Sequence, residues 1–216
     1  VVNAKASQLK AQGIDVVNFG VGEPDFDTPK HIGDKGIEAI QRGFTKYTPG
    51  AGTPEIRRAI VAKLARDNNV TYLPKETIAC VGAKQAIFLA LQVLVDPGDE
   101  VLIPSPYWVS YPEMVSLSDG VSVFVEVLLE DDYKLTPAAL EKACTPKSKV
   151  LVLNYPNNPT GASYTRAELE AIVEVCLKRG IYIISDEVYE KLLYDGYEHV
   201  SVAALGPEAK AITVTT

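Results

Sequence analysis

The sequence is poor in the residues from which metal and redox sites are usually built. Its 216 residues include only two histidines, three cysteines and one methionine. His31 and His199 have no cysteine or carboxylate at the spacing of zinc ligands, so we expect no metal site. The cysteines, Cys80, Cys144 and Cys176, are odd in number and each lies in an apolar segment, where a buried, reduced thiol is favoured. We therefore expect no disulfide bond.

Signals for several other protein classes are also missing. The longest run without charges or helix breakers, 86–95, is far shorter than the roughly 20 apolar residues that span a bilayer. Residues 1–13 lack the apolar core of a secretion signal, and no G-x-S-x-G motif of a serine hydrolase is present. The formal net charge of -7, with no basic stripe, disfavours nucleic-acid binding. We expect a cytosolic protein that binds neither membranes nor nucleic acids.

What the sequence does contain is an alternation of short β-branched runs with helical patterns from about residue 77 onward, which is typical of an α/β fold. Most of the runs are apolar throughout, as in parallel strands covered on both faces. Helix starts are indicated by Thr53, by Thr136 and by the capping box of Thr165 and Glu168, and a further helix is predicted over 84–95. The predicted strands are 77–81, 100–103, 121–127, 149–153, 181–184 and 211–214.

Three of these strands end in segments that could bind a ligand, because open α/β sheets bind ligands beyond the carboxyl ends of their strands. Gly82-Ala83-Lys84 begins a helix at once, and the bare amides of a first helical turn suit a phosphate. Residues 154–161 bring asparagine side chains and amides to the same edge. Asp186 follows an apolar strand, where its carboxylate would be partly buried and would need a cation or a donor.

Each segment also has a plainer interpretation. Small residues begin many helices for packing reasons, residues 154–161 could form a long turn, and Asp186 could cap a helix. Considered together, the three strand ends suit one ligand with a phosphate, a hydrogen-bonding oxygen and a cationic ring nitrogen. Pyridoxal phosphate has all three.

Ordered motifs along the chain support a family assignment. The chain resembles the class I aminotransferases, and the order and spacing look most like those of the prokaryotic-type aspartate aminotransferases. The resemblance covers essentially every residue and implies the α/β architecture of fold type I pyridoxal-phosphate enzymes, with three layers around a mostly parallel sheet. The motifs are Gly22-Glu23-Pro24-Asp25-Phe26, Lys46-Tyr47, Gly82-Ala83-Lys84-Gln85, Pro106-Tyr107-Trp108, Asn157-Asn158-Pro159-Thr160-Gly161 and Ser185-Asp186-Glu187-Val188-Tyr189.

The resemblance implies how individual residues would hold the cofactor. Asp186 would pair with the protonated pyridine nitrogen, whose charge makes the ring an electron sink. Asn158 and Tyr189 would hydrogen-bond the phenolic oxygen of the ring, and Asp186 and Tyr189 are the implied catalytic residues. Trp108, which could equally be a core anchor, would stack on the ring face. The phosphate would rest on the helix start at Gly82, Ala83 and Lys84.

Substrate and subunit contacts are implied as well. Gly22 would bring its backbone against the substrate carboxylate, where a side chain would collide, and Trp108 and Asn158 would also contact the substrate. Tyr47 would reach the cofactor phosphate of a second subunit, which implies a homodimer. We also expect the Asn158-Pro159 bond to be cis, as in family members.

The implied reaction is a ping-pong amino transfer, with aspartate and 2-oxoglutarate as the expected substrates. The lysine to which family members attach the cofactor would follow strand 211–214, beyond Thr216, and the arginines for the phosphate and the substrate carboxylate would lie further on. Residues 1–216 therefore correspond to the first half of such an enzyme. Residues 1–30 would form an N-terminal arm or part of the small domain, and residues 31–216 the first portion of the cofactor-binding large domain. Strand 77–81 would then lie at a sheet edge without its usual neighbour.

Other functions fit the same motifs. Lys84 is the lysine carried by members that accept prephenate, and aromatic and kynurenine aminotransferases have similar cofactor motifs. A function of another class is a non-catalytic, aminotransferase-like binding module. Retention of Asp186, Asn158, Tyr189 and Trp108 together argues against such a module, whereas a chain without the lysine would fit it.

Overall fold

A computed structural model describes residues 2–17 and 26–216 of the chain. The chain divides into two compact units, residues 1–48 and residues 49–216. The first unit contains helices α1 (Val2–Ala11) and α2 (Lys30–Gln41), and α2 carries the exposed ion pairs Lys30–Asp34 and Lys35–Glu38. The predicted domain assignment of residues 1–30 and 31–216 concerns the complete protein and stays a prediction.

The second unit is built on one parallel sheet. Its five strands lie in the order β2, β1, β3, β4, β5, and every neighbouring pair is parallel. The strands are β1 (Glu100–Ser105), β2 (Val121–Glu126), β3 (Ser148–Asn154), β4 (Tyr182–Asp186) and β5 (Thr213–Thr215). The register places Asn154 beside Asp186, so the carboxyl ends of β3 and β4 lie together.

Helices connect the strands, and the predicted helix starts are confirmed. The side chains of Thr53, Thr136 and Thr165 each accept a hydrogen bond from a first-turn amide, and Glu168 completes the capping box at Thr165. The helices are α3 (Pro54–Asn68), α4 (Ala83–Leu94), α5 (Ser110–Leu117), α6 (Pro137–Ala143), α7 (Arg166–Arg179) and α8 (Pro207–Ala211), with short 3-10 turns at Pro74–Glu76, Leu129–Asp131 and Val202–Leu205.

Two hydrophobic clusters cover the two faces of the sheet, as predicted for three layers. Because side chains alternate along a strand, neighbours such as Leu151 and Val152 belong to different clusters. The cluster with Leu151 contains buried residues of α6 and α7, and the cluster with Val152 contains those of α4 and α5. The loops beyond β1, β3 and β4 are thereby held at one edge of a well-packed sheet.

The predicted strand 77–81 is wrong. These residues have no strand partner in the described part of the chain. The Ala79 amide donates to the Ala51 carbonyl at 3.0 Å, and the Val81 amide donates to the Gln85 side chain of α4 at 2.8 Å. An apolar, β-branched run predicts an extended chain, but a strand also needs a neighbour with which to share its hydrogen bonds. The last strand is also shorter than expected, because residue 211 ends α8 and the pairing begins at Thr213. The other four predicted strands are present, with ends shifted by one or two residues.

Cis peptide bonds, free cysteines and helix lengths were also among the features considered in the sequence. The Asn158-Pro159 bond is cis, as predicted, and Ser105-Pro106 and Tyr155-Pro156 are cis without having been predicted. Cys176 is a buried free thiol, and burial raises its pKa to about 12, whereas Cys80 and Cys144 are half-buried free thiols. Within the described ranges, no helix has the length and apolar character required to cross a membrane.

Candidate active site

Asp186 is the centre of the candidate site. It is the last residue of β4 and only 3% exposed. Its Oδ2 accepts a hydrogen bond of 2.6 Å from the Tyr111 hydroxyl, and its Oδ1 accepts one of 3.3 Å from the Val188 amide. Burial raises the pKa of the Asp186 carboxyl, although both hydrogen bonds act to lower it. A cation facing this carboxylate would remove the cost of its burial.

An aromatic cluster connects Asp186 to the start of α4. The Tyr111 and Trp108 rings meet edge to face with centroids 5.4 Å apart, and the Lys84 ammonium lies 4.8 Å from the Trp108 ring centroid. Burial, followed by the charge of Asp186, raises the pKa of Tyr111 well above its usual value, so this phenol keeps its proton and acts as a donor. Asp186, Trp108 and Lys84, predicted from separate motifs, thus belong to one continuous set of contacts.

The loop after β3 approaches Asp186 from the other side. The side-chain amide of Asn154 donates to the Asp186 carbonyl at 3.0 Å, and Asn154 Oδ1 accepts from the Asn158 amide at 2.7 Å. The Tyr155 amide adds a bond of 3.2 Å to the same carbonyl. Asn154 therefore fixes the backbone of Asn158 relative to the end of β4.

The start of α4 has the properties of an anion site. Gly82 precedes the helix with φ +108°, a conformation that side-chain-bearing residues rarely adopt, and no side chain caps the first amides. Apart from Gly82 and its two chain neighbours, no described residue has an atom within 4 Å of the position where a Cβ of Gly82 would stand. The amides of Ala83 and Lys84 follow directly, so a phosphate could approach the helix axis here.

The structure places the remaining predicted residues as follows. Tyr189 is partly buried, and its phenol lies close enough to Tyr111 to raise the Tyr111 pKa further. Tyr47, in the first unit, is fully exposed. Gly22 lies outside the described residues. Their proposed contacts with cofactor, substrate or partner stay predictions.

Two residues of the site were not predicted from the sequence. Tyr111 and Asn154 supply hydrogen bonds to Asp186 across 75 and 32 positions of sequence. Tyr111 lies in the first turn of α5, three residues after Trp108, and no local signal predicts its contact with Asp186. Asn154 could have been found as the final residue of a strand whose neighbour ends in Asp186.

A buried cluster beside the site was not predicted either. One ligand-type atom each from Glu187, Glu190 and His199 lies within 4.8 Å of the others, although their sequence spacing gives no zinc-like pattern. These carboxylates already have partners, since Glu190 pairs with Lys63 at 2.6 Å and accepts from the Asn68 side chain at 2.7 Å. We interpret the cluster as an internal hydrogen-bond network.

Known proteins resemble this chain in both sequence and structure. Residues 14–216 match the family described as aminotransferase class I and II. The chain belongs to this family. Among the similar proteins, the aspartate aminotransferase of Geobacillus stearothermophilus is 54% identical over 213 residues, which are 99% of this chain and 54% of that protein. The aspartate/prephenate aminotransferase of Thermus thermophilus is 50% identical over 96% of this chain and 54% of its own length.

Solved aminotransferase structures have the same fold. The aspartate aminotransferase of Thermus thermophilus with maleate superposes with a TM-score of 0.94 at 48% identity, covering 99% of this chain and 55% of that one. The aspartate aminotransferase of Rhizobium meliloti gives a TM-score of 0.95 at 41% identity, covering 99% and 54%. The predicted fold type I architecture is thus confirmed. The chain spans about half the length of the relatives that it matches.

The described residues fit pyridoxal phosphate, the cofactor that this aminotransferase family implies. A buried carboxylate at Asp186 without a cationic partner suits a protonated ring nitrogen, and the uncapped start of α4 suits a phosphate. The contact series from Lys84 through Trp108 and Tyr111 to Asp186 joins these two ends. The chain therefore offers complementary groups to both charged ends of the cofactor.

Proposed function

We propose that the complete protein of which these residues are part is an aspartate aminotransferase. It would bind pyridoxal phosphate and transfer the amino group of aspartate to 2-oxoglutarate by a ping-pong mechanism. The observation that carries the proposal is the buried Asp186 carboxylate, which meets hydroxyl and amide donors but no cation among the described residues. The relatives named aspartate aminotransferase, at about half identity over the whole chain, support the choice of aspartate.

Each residue would have a distinct role in the proposed enzyme. When bound, pyridoxal phosphate supplies an electron sink for the electron pair left when the substrate α-proton is removed. Asp186 would hold the proton on the ring nitrogen, and the Tyr111 hydroxyl, which bonds to Asp186, would keep it in place. Trp108 would stack on the ring, Asn158 and Tyr189 would hydrogen-bond its phenolic oxygen, and the amides of Ala83 and Lys84 would bind the phosphate. Gly22, Trp108 and Asn158 would contact the substrate carboxylate.

We also propose that the enzyme is a homodimer and that it works in the cytoplasm. Tyr47 would complete the phosphate site of a second subunit, so the enzyme would be a homodimer with two shared sites. The free thiols of Cys80, Cys144 and Cys176 support a reducing compartment such as the cytoplasm.

Prephenate is a second candidate substrate. The Lys84 ammonium lies over the Trp108 ring, on which the cofactor would stack. In this position the ammonium could pair with the second carboxylate of a dicarboxylic substrate such as prephenate. The Thermus thermophilus relative is named for both substrates. Aromatic amino acids and kynurenine are further alternatives within the same chemistry.

The test is a substrate panel on the purified complete protein. Pyridoxal phosphate binding is followed by visible absorbance. Transamination is measured with 2-oxoglutarate as the acceptor and aspartate, tyrosine or kynurenine as the donor, and with prephenate as the acceptor and aspartate or glutamate as the donor. We expect the highest kcat/KM with aspartate. Bound cofactor without turnover of any amino acid would instead identify a non-catalytic binding module. Absence of cofactor binding would contradict the proposal entirely.

A further inference from the structure

Glu187 is a second buried carboxylate directly after Asp186, with a different set of partners. Its side chain is 2% exposed. Glu187 Oε1 accepts hydrogen bonds from the hydroxyls of Ser185, at 2.8 Å, and Ser201, at 2.9 Å. The Tyr155 hydroxyl lies 3.2 Å from the same oxygen. Carboxylates are rarely buried unless they are well paired, and these three hydroxyls supply the partners that allow Glu187 to be buried.

His199 completes the network at the other carboxylate oxygen. Its Nε2 lies 2.8 Å from Glu187 Oε2, and its ring stacks on Tyr155 with centroids 5.4 Å apart. The His199 side chain is 9% exposed, and its buried Nδ1 has no hydrogen-bond partner among the described residues. An ionised carboxylate only accepts, so an ionised Glu187 pairs with a His199 ring that carries a proton on Nε2.

The network joins three segments that are far apart in sequence. Tyr155 belongs to the loop after β3, Ser185 and Glu187 to the end of β4, and His199 and Ser201 to the segment before the 3-10 turn at Val202–Leu205. The Tyr155 hydroxyl also accepts from the Val202 amide at 3.1 Å. Glu187 and Tyr155 each bond to both of the other segments, and they also lie within hydrogen-bond distance of one another.

Two of these segments carry the proposed cofactor ligands. Asn158 lies three residues after Tyr155, and Asp186 and Tyr189 flank Glu187. The bonds from the Asn154 side-chain amide and the Tyr155 backbone amide to the Asp186 carbonyl hold the two loops together on the site side. The Glu187 network holds the same two loops through Tyr155, so the spacing of Asn158 and Asp186 is fixed by two separate sets of contacts.

We propose that Glu187 is a positioning residue for the cofactor site, which ties the loop of Asn158 to the loop of Asp186 and Tyr189 through its buried bonds to Tyr155, Ser201 and His199. The inference rests on the proposed function, because it concerns the residues that would hold pyridoxal phosphate. Both Glu187 carboxylate oxygens already have hydrogen-bond partners, so the role we assign to Glu187 is to hold the loops and not to bind the cofactor directly.

The test compares Glu187→Gln with a core control in the complete protein. Glutamine keeps the shape but loses the charge and one acceptor, so we expect faster hydrogen exchange of the 154–161 amides in the apoprotein. We also expect the dissociation constant for pyridoxal phosphate to rise about 10-fold or more, since small misplacements of binding groups are costly. The pH midpoint of the bound-cofactor absorbance should move as well.

The control is Leu140→Ala, which truncates a fully buried side chain in α6. It should lower the melting temperature without changing the hydrogen exchange, the cofactor affinity or the absorbance midpoint.

A second variant keeps the inference testable if Glu187→Gln does not fold. Ser201→Ala removes one donor and should change the same readouts in the same direction by a smaller factor. Wild-type exchange, affinity and absorbance in both variants would overturn the positioning role. So would equal effects in Leu140→Ala, since general destabilisation would then explain them. A wild-type protein that fails to bind pyridoxal phosphate would instead overturn the proposed function.

Discussion

At the scale of single residues, Asp186 is a carboxylate that the fold buries without a cationic partner among the described residues. Burial beside Tyr111 disfavours the charged form of the carboxyl and therefore raises its pKa. The unfolded chain releases this proton at a lower pH than the folded chain does. Asp186 therefore contributes stability at low pH, and that contribution is lost as pH rises through the raised folded pKa.

Replacing Asp186 by Asn should separate stability from activity. In the apoprotein, Asp186→Asn should melt at a higher temperature than the wild type near pH 8, and the difference should vanish below about pH 4, the usual range of an aspartate. The same variant should lose kcat by on the order of 100-fold or more, because the ring nitrogen loses its partner. Calorimetry at several pH values and a transamination assay measure the two effects.

The control for this comparison is Glu174→Gln, an exposed carboxylate on α7. Its melting temperature should follow that of the wild type at every pH, and its kcat should not change. Near-normal transamination by Asp186→Asn would contradict the role assigned to Asp186.

Sequence reasoning named candidate site residues that stand in motifs but did not predict their tertiary contacts. Asp186 and Asn158 were predicted from strand ends and from the family resemblance, and Trp108 from the resemblance alone. Tyr111 and Asn154 bond to Asp186, and Glu187 lies near Tyr155, but no local pattern indicates which buried partner a hydroxyl or carboxylate will find. His199 was excluded as a metal ligand from spacing alone, which could not reveal its contact with Glu187.

At the scale of elements, the start of α4 is the proposed phosphate site, because no side chain among the described residues caps its first turn. Ala83→Pro tests this directly, since proline is tolerated at the first position of a helix but has no amide hydrogen to donate. A bond to a charged group is worth about 1.5 to 3 kcal/mol, so the dissociation constant for pyridoxal phosphate should rise about 10-fold or more. Titration of the apoprotein by absorbance or calorimetry measures it.

The matched control for the α4 experiment is Arg166→Pro at the first position of α7, which follows the cap Thr165. Both variants should have similar melting temperatures, but only Ala83→Pro should weaken cofactor binding. Equal affinities in the two variants would exclude the Ala83 amide from the phosphate site.

The elements themselves were predictable to the extent that their signals are local. Capping by Thr53, Thr136 and Thr165 depends on residues three positions apart, and the sequence therefore predicted these helix starts correctly. Residues 77–81 have the composition of a strand, but pairing depends on a neighbour that composition does not specify. The same limit applies to β5, whose pairing with β4 spans only Thr213–Thr215.

At the scale of the whole molecule, Tyr47 tests whether two chains share each site. Its side chain is fully exposed in the first unit, as required of a residue that serves another subunit. Tyr47→Phe should weaken pyridoxal phosphate binding by several-fold, because one bond to a charged group is lost. We expect the wild type to sediment as a dimer at assay concentration.

A mixture of two inactive or weakened variants tests directly whether each site contains residues from both chains. Tyr47→Phe and Asp186→Ala would impair different halves of each site, so a mixed dimer of the two variants should regain one intact site and part of the wild-type activity. His31→Gln, a change of an exposed residue in the first unit, serves as the control. A mixture of His31→Gln with Asp186→Ala should be no more active than the His31→Gln protein that it contains. An active monomer in sedimentation would contradict the shared site.

The surface of the second unit next to β5 gives the last prediction. β5 has a single strand neighbour among the described residues, and beside it α3, α4 and residues 77–83 surround an open cavity of about 750 Å³. Apolar side chains there are exposed, with Val81 at 90% and Val93 at 85%. Unpaired strand edges and large apolar surfaces promote association unless further protein covers them.

Residues 1–216 expressed alone should therefore be unstable, because nothing would cover this edge and its apolar cavity. We expect aggregation or a broad, non-cooperative thermal transition, with strong binding of a hydrophobic dye, whereas the complete protein should melt cooperatively and bind little dye. Val93→Lys, which places a charge on the exposed face of α4, should improve the solubility of the fragment without restoring transamination. A monodisperse fragment that transaminates aspartate would show that this edge needs no cover and that the groups required for catalysis all lie within residues 1–216.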